Sequence, residues 1–196
     1  MTATRQRKRP GHANNDPSLV STGAGRWAGV DIALPPDEWA LEPKIDGVRV
    51  IWLDGHPFTR HGGLLTSGKG ADRLTQILAK IPHTLDGEWV QALDTFFAFD
   101  LPECPLDYDG RHSALTEILT ATTDNSTDVA AFSLATSIAH VRLVASFTGQ
   151  FPAVYSGLKG HGAEGVVLKR RRALYGNQLR PGVESRDWLK RRFGWD

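Results

Sequence analysis

The sequence predicts an α+β fold with largely antiparallel sheets. Three observations carry this. Short segments rich in Val, Ile, Trp, Phe and Thr recur along the chain, bounded by Gly, Pro and Asp. Asp54-Gly55 lies between two such segments, where it suits a tight hairpin turn. Only a few stretches space their apolar residues as a helix does, and these are interspersed with the strands.

The elements follow in order. Residues 1 to about 25 are polar and rich in Gly, Asn, Ser and Arg, which predicts a loosely attached basic tail ahead of a domain over residues 26–196. Val48 to Leu53 is a strand, and Phe58 to Arg60 returns beside it. Ala71 to Ile81 has Leu74, Ile77, Leu78 and Ile81 on one helical face, and Pro82 stops the helix. Thr84 to Val90 and Thr95 to Leu101 are short strands. Ser113 to Thr120 is a helix with Ser113 as its N-cap and Leu115, Ile118 and Leu119 facing inward. A polar loop covers Thr120 to Asp128, and a helix is expected over Val129 to Ala139. Val141 to Phe147 and Gly165 to Lys169 are strands, with a helix from Pro152 to Leu158 between them. Trp188 to Phe193 forms the last strand.

Composition bounds the function. A chain of 196 residues with 40% hydrophobic residues and six Trp can bury a substantial core. No apolar run is long enough to span a membrane, and the basic N-terminus lacks the apolar stretch of a signal peptide. The single cysteine, Cys104, excludes an intrachain disulfide and a multi-cysteine metal site. These features predict an intracellular, cytoplasmic protein without a membrane partner. The histidines show no metal-ligand spacing. The net charge of +1 conceals an asymmetry, for residues 1–10 carry +4 and residues 159–196 hold ten basic and four acidic side chains. Basic ends on an acidic body fit either a polyanionic partner or a solvated surface.

The most informative stretch is Glu42-Pro43-Lys44-Ile45-Asp46-Gly47-Val48-Arg49, of the form K-x-D-G-x-R. An ordinary lysine is protonated and inert near neutral pH. Burial or a neighbouring cation such as Arg49 favours the neutral amine, which can attack an electrophile. Asp46-Gly47 suits a tight turn that sets Lys44 and Arg49 beside one pocket. Taken alone, the same residues also fit a hairpin turn with charged flanks.

Five further elements decide between these readings. They are Thr59-Arg60-His61-Gly62-Gly63, Leu85-Asp86-Gly87-Glu88, Phe96-Phe97-Ala98-Phe99-Asp100-Leu101, Glu164-Gly165-Val166-Val167-Leu168-Lys169 and Trp188-Leu189-Lys190-Arg191-Arg192. With K-x-D-G-x-R they match, in order, the elements of the nucleotidyltransferase (adenylation) domain of ATP-dependent DNA ligases, which this sequence resembles from residue 42 to residue 192. The resemblance implies an ATP-grasp-like nucleotidyltransferase fold of mostly antiparallel sheets flanked by helices.

It also implies roles. Lys44 would attack the α-phosphorus of ATP, release pyrophosphate and hold AMP as a phosphoramidate. Phosphoryl transfer needs mainly positioning and charge neutralisation. Lys169, Lys190 and Arg192 would meet phosphate oxygens. Arg49 and Arg60 would contact the sugar-phosphate portion or the nicked strand, and Glu88 a ribose hydroxyl. Phe99 would stack on adenine, with Glu42 at the adenine edge and Ile45 beside it. Glu164, with Glu88 as second candidate, would orient Mg²⁺ or Mn²⁺, hard cations that prefer carboxylates, water and phosphate oxygens. The structural readings stay open beside these. Some of Phe96, Phe97 and Phe99 are core, Asp46 and Asp100 fit turns or strand ends, and Trp188 fits packing.

The chain departs from the family pattern in places. Arg192 stands for the usual second lysine of the last element, which keeps charge but changes geometry. Glu184 stands where many relatives carry a base. Four residues after Arg192 the sequence given ends, where such ligases continue into an OB-fold domain. That implies a separate OB-fold chain as partner, a pared-down ligase or a fragment, with nicked duplex DNA as substrate. Two alternatives remain: an RNA ligase or capping-type nucleotidyltransferase, which Ile45 and Arg49 disfavour, and a nonenzymatic nucleic-acid-binding relative, which the retained Lys44, Glu88, Glu164 and Lys190 disfavour.

Overall fold

A computed structural model describes residues 23–26, 34–66, 70–119, 133–176 and 184–194, with the backbone alone for 23–26 and 184. Ten strands and three α-helices alternate irregularly among these residues. They are β1 (Gly23–Arg26), β2 (Trp39–Lys44), β3 (Val48–Leu53), β4 (His56–Thr59), α1 (Ala71–Leu78), β5 (Leu85–Val90), β6 (Thr95–Asp100), α2 (Tyr108–Leu119), β7 (Ser133–Ala135), β8 (Val141–Val144), α3 (Phe151–Gly160), β9 (Gly165–Arg170) and β10 (Glu184–Arg192). The β3–β4 hairpin turns where the sequence predicts it. Asp54 and Gly55 both take positive φ, 50° and 79°, as a tight turn between twisted strands requires.

The strands form two sheets, one of order β4-β3-β5-β6-β8-β7 and one of order β1-β10-β9-β2. Antiparallel pairing dominates, as expected for this α+β chain; only β1 with β10 and β6 with β8 run parallel. Each sheet has its own core. Val50, Trp52, Leu85, Trp89, Phe96 and Ala98 of the larger sheet pack with Leu74 and Leu78 of α1 and Leu115 and Leu119 of α2. Trp39, Leu41, Val166 and Leu168 of the smaller sheet pack with Phe151 and Leu158 of α3. Successive side chains on a strand point to opposite faces. The residues alternating with these apolar ones are therefore turned to the other face of each sheet, and many of them are charged.

The structure corrects several expectations. β2 is a strand that the pattern did not announce, because residues 39–43 are all buried and show no alternation. Pro43 is accommodated in the strand because β2 lies at the edge of its sheet. Helix α2 starts at Tyr108 rather than Ser113. Its cap is Asp107, whose Oδ1 accepts the Gly110 N–H at 3.1 Å. The helix expected over Val129–Ala139 is replaced, where described, by β7 and a turn. The Thr136 hydroxyl donates to Val141 O at 2.7 Å and lies 3.2 Å from the Ile138 N–H, local bonds that compete with a helix. The whole polar loop over Thr120 to Asp128, residues 129–132 and residues 1–22 of the basic tail lie outside the described residues. The boundary drawn at residue 25 falls inside β1.

Gly165 sits where no side chain fits. It is paired with Lys44 of β2 on one side and Arg192 of β10 on the other. A Cβ added there would lie 2.0 Å from Arg191 O, a backbone atom that cannot swing away. Gly165→Ala is expected to force β9 from β10 at a cost of about 1–3 kcal/mol, the usual range for overpacking. Denaturant midpoints of the two proteins measure it.

Candidate active site

The charged faces of the two sheets look onto one cavity of about 490 Å³. Period-two alternation supplies its walls. Glu42 and Lys44 come from β2, Val167 and Lys169 from β9, and Trp188, Lys190 and Arg192 from β10. From the other sheet come Arg49 of β3, Thr59 of β4, Glu88 of β5 and Phe99 of β6, with Ile45, Asp46 and Gly47 between the sheets. Register sets them in rows: Glu42, Val167 and Lys190 lie side by side, and so do Lys44, Gly165 and Arg192. Among the sequence-predicted residues, Glu42, Lys44, Ile45, Arg49, Arg60, Glu88, Phe99, Lys169, Lys190 and Arg192 all line the cavity. Glu164 is not on its wall but touches it through Lys44.

Lys44 ends β2, at the point where the chain crosses from one sheet to the other. Gly47 allows that crossing. An added Cβ would meet Trp89 O of β5 at 2.6 Å, so the expected tight turn is a close backbone approach. The nearest charged partner of Lys44 Nζ is a carboxylate, not the Arg49 guanidinium expected from the sequence. Nζ donates to Glu164 Oε2, while Arg192 Nε reaches Glu164 Oε1 at 2.7 Å. Glu164, one residue ahead of β9, thus bridges the two outer strands of its row.

Arg49 is turned away from Lys44 by a fork on Asp86, with Nε to Oδ1 at 3.0 Å and the terminal nitrogen to Oδ2 at 2.5 Å. Asp86 is fully buried, and the Tyr175 hydroxyl also donates to its Oδ2, at 2.9 Å. Burial works against the Arg49 charge, yet Asp86 outweighs it and holds the guanidinium above its ordinary pKa. The same guanidinium lies 5.5 Å from the Phe99 ring centroid and 5.1 Å from that of Trp188, within cation–π range.

Lys169, expected at phosphate oxygens, lines the cavity from a buried position. It is 1% exposed, and its ammonium is 2.9 Å from Glu42 Oε2, 2.8 Å from Phe99 O and 3.5 Å from Asp100 Oδ2. Three acceptors match its three N–H donors. It also lies 4.8 Å from the Phe99 ring centroid and 4.4 Å from that of Trp188. Glu42 is fully engaged as well, because the Tyr108 hydroxyl donates to its Oε1 at 2.6 Å. Burial pushes the Glu42 carboxyl up despite the opposing pull of Lys169. Asp100 goes the other way. Burial raises it, but Lys169 and Arg111 together hold it below its usual value.

Phe99 owes its position to a bulge. Asp86 pairs with Asp100 and Gly87 with Ala98, so Phe99 is the extra residue of β6. Phe96 and Ala98 are core, and Phe99 lines the cavity beneath two cations. Glu88 is mostly buried near Lys44, Arg49, Asp86 and Glu164. Burial dominates and pushes its carboxyl up to about 7, against the pull of Lys44 and Arg49.

Tyr108, Arg111 and Tyr175 are participants that sequence reasoning missed. They fall outside the recognised elements, and an aromatic or a lone Arg on a helix reads as ordinary packing or surface. The cluster Arg170-Arg171-Arg172 is neutralised within the fold: Arg170 pairs with Glu38 and Asp187, Arg171 with Asp109 and Arg172 with Asp107.

No group of three or more His, Cys, Asp or Glu is arranged to hold a metal among the described residues. Glu164 and Glu88 do fit the other way Mg²⁺ is held, by one or two carboxylates with water and substrate phosphates completing the shell. Likewise, no helix among the described residues is long and apolar enough to cross a membrane.

No family model and no curated protein matches the chain. Solved structures do. A Lig E DNA ligase, studied for DNA binding with a minimal scaffold, superposes with a TM-score of 0.61 at 19% identity over 88% of this chain. Mycobacterial DNA ligase D, complexed with ATP and MES, gives 0.63 at 21% over 89%. Chlorella virus DNA ligase-adenylate gives 0.57 at 17% over 88%. The fold is that of a DNA ligase nucleotidyltransferase domain. The likeness is one of fold, and this chain spans 68%, 61% and 67% of those three proteins. In this fold the cavity lies between the two sheets, with Lys44 at the crossover.

Proposed function

We propose that the chain is an ATP-dependent polynucleotide ligase, or the adenylation domain of one, acting on nicked duplex DNA through a lysyl-AMP intermediate. One observation carries the reading. Lys44 opens into a cavity that also gathers Glu88, Phe99, Lys190 and Arg192, with Glu164 in contact with its amine. A lysine so placed, amid cations and an aromatic face, suits a nucleophile that takes a nucleotide.

The residues divide by position. Phe99, Ile45, Glu42 and Lys169 form the end that takes the base, and the aromatic face supplies about 1–3 kcal/mol of stacking. Lys169 acts there, as a buried partner of Glu42, rather than at phosphate. Glu88 receives a ribose hydroxyl. Lys190 and Arg192 neutralise phosphate charge beside Lys44, and Arg49 and Arg60 serve the sugar-phosphate portion or the nicked strand. Lys44 Nζ forms the bond to the α-phosphorus as the bond from phosphorus to the pyrophosphate oxygen breaks. The amine must shed protons for this, and its neighbour Glu164 Oε2 is the nearest acceptor. Glu88 and Glu164 would hold Mg²⁺ with phosphate oxygens, and the ion would supply charge neutralisation there.

Incubation with labelled ATP and Mg²⁺ is expected to label the protein, and Lys44→Ala to abolish the label. With nicked duplexes added, sealing of DNA ahead of RNA or hybrid strands is expected; preference for RNA would favour the RNA-ligase alternative. Salt-sensitive DNA binding with no label would favour the binding-module alternative.

A further inference from the structure

We propose that Arg111, on α2 outside the cavity, is a positioning residue for the nucleotide: through Asp100 it fixes Lys169 and Glu42 at the base-binding end. This inference rests on the nucleotidyltransferase reading above. Arg111 is 0% exposed, an exceptional state for an arginine. Its fork grips Asp100, with Nε to Oδ1 at 2.6 Å and the second terminal nitrogen to Oδ2 at 3.3 Å. The remaining nitrogen donates to Leu106 O at 3.0 Å and Ala173 O at 2.9 Å. Those carbonyls tie the segment before α2 to the segment after β9, so the guanidinium cannot move without both.

The other side of Asp100 faces Lys169. Its Oδ2 is 3.5 Å from Nζ, a looser contact than the 2.9 Å between Nζ and Glu42. The balance matters. With Arg111 present, Asp100 is satisfied and Lys169 settles on Glu42 and on Phe99 O, beneath the Phe99 ring. Without Arg111, Asp100 is a buried carboxylate with one cationic partner, and it draws the ammonium across from Glu42. Glu42 then keeps only the Tyr108 hydroxyl. The base-binding end is rearranged, while Lys44, Glu164 and Arg192 keep their row on the strands.

That separation gives a readout specific to positioning. Self-adenylation labels each molecule once, so loss of folded protein lowers the final extent of labelling and leaves alone both the maximal rate constant, taken as kcat, and the ATP concentration at half-maximal rate, taken as KM. Misplacement of the base end raises KM and leaves kcat nearly alone. For Arg111→Met, KM for ATP is expected to rise at least tenfold with kcat within threefold of the parent. Arg111→Lys restores a charge opposite Asp100 and should recover part of the KM; it also serves where the Met variant fails to fold, with KM still raised severalfold over the parent. In an Asp100→Asn background, Arg111→Met should change KM less than twofold, because its route of action is gone. An unchanged KM in both Arg111 variants, a fall in kcat alone, or a full effect in the Asp100→Asn background overturns the proposal. In each of those cases the parent still labels with AMP, so the nucleotidyltransferase reading survives. A parent that neither binds ATP nor becomes labelled overturns both.

Discussion

Asp86→Ala is expected to lower stability by about 3–5 kcal/mol, the cost of removing one partner of a buried ion pair. Three donors lose their acceptor at once: two nitrogens of Arg49 and the Tyr175 hydroxyl. Asp86 is wholly buried and the Arg49 side chain is only 16% exposed, so water cannot readily replace the carboxylate. Burial already pushes the Tyr175 hydroxyl well above its ordinary pKa, which leaves it a donor in search of an acceptor. For a chain of this size the loss corresponds to a fall in melting temperature of roughly 6–20 °C. Asp86→Asn, which keeps one carbonyl oxygen, should cost less. Replacing both partners, Arg49→Met with Asp86→Ala, should recover part of the loss, since an empty pair is easier to bury than a broken one. Thermal melts of these proteins and of Arg49→Met alone measure this. Additive losses in the double variant would show that the two side chains do not act as a pair.

Glu88→Gln is expected to stabilise the chain at pH 8 while weakening lysyl-AMP formation at least tenfold. The sign follows from its carboxyl, which burial raises to about 7 in the folded chain from an ordinary value of 4.5. Between those values the folded protein holds a proton that the unfolded chain has released. Stability therefore falls as pH rises through that window, and above it the full cost of the buried charge is present. The shift sets an upper limit of about 3 kcal/mol, reduced by the partial access of water to Glu88. Gln carries no such charge. The two proteins should be equally stable near pH 4.5 and separate steadily up to pH 8, with the variant ahead. Glu42, also raised, titrates in both and cancels in the difference. A difference that stays flat with pH would contradict the assignment. The opposed effects on stability and activity are those of a carboxylate kept for chemistry at the expense of folding.

The sequence made the cavity more legible than the fold that frames it. K-x-D-G-x-R, D-G-E, F-D, E-G-x-x-x-K and W-x-K are local strings, and each lies on or beside one strand or strand end. Being local, they can be read without the fold, and Lys44, Glu88, Phe99, Lys190 and Arg192, named from the resemblance those strings carry, do meet in one cavity. Strands with one polar face, such as β3 and β9, were found for the same reason. β2 was not, because burial on both faces removes the period that marks a strand. The start of α2 was missed because Ser113 and Asp107 are both plausible caps, and only the bond from the Gly110 amide chooses. The inner partners were hidden more deeply. Lys169 was placed at phosphate by the resemblance; the acceptors that hold it, Glu42, Phe99 O and Asp100, come from three other stretches of sequence. Tyr108, Arg111 and Tyr175 likewise gain meaning only when α2 and the segment after β9 are folded against β6 and β5.

The intact mass of the protein after incubation with ATP, Mg²⁺ and a nicked duplex tests the central claim most directly. The account predicts a species heavier by one AMP in the parent protein and its absence in Lys44→Ala. An unshifted parent mass after prolonged incubation, or an AMP adduct that persists in Lys44→Ala, would contradict it.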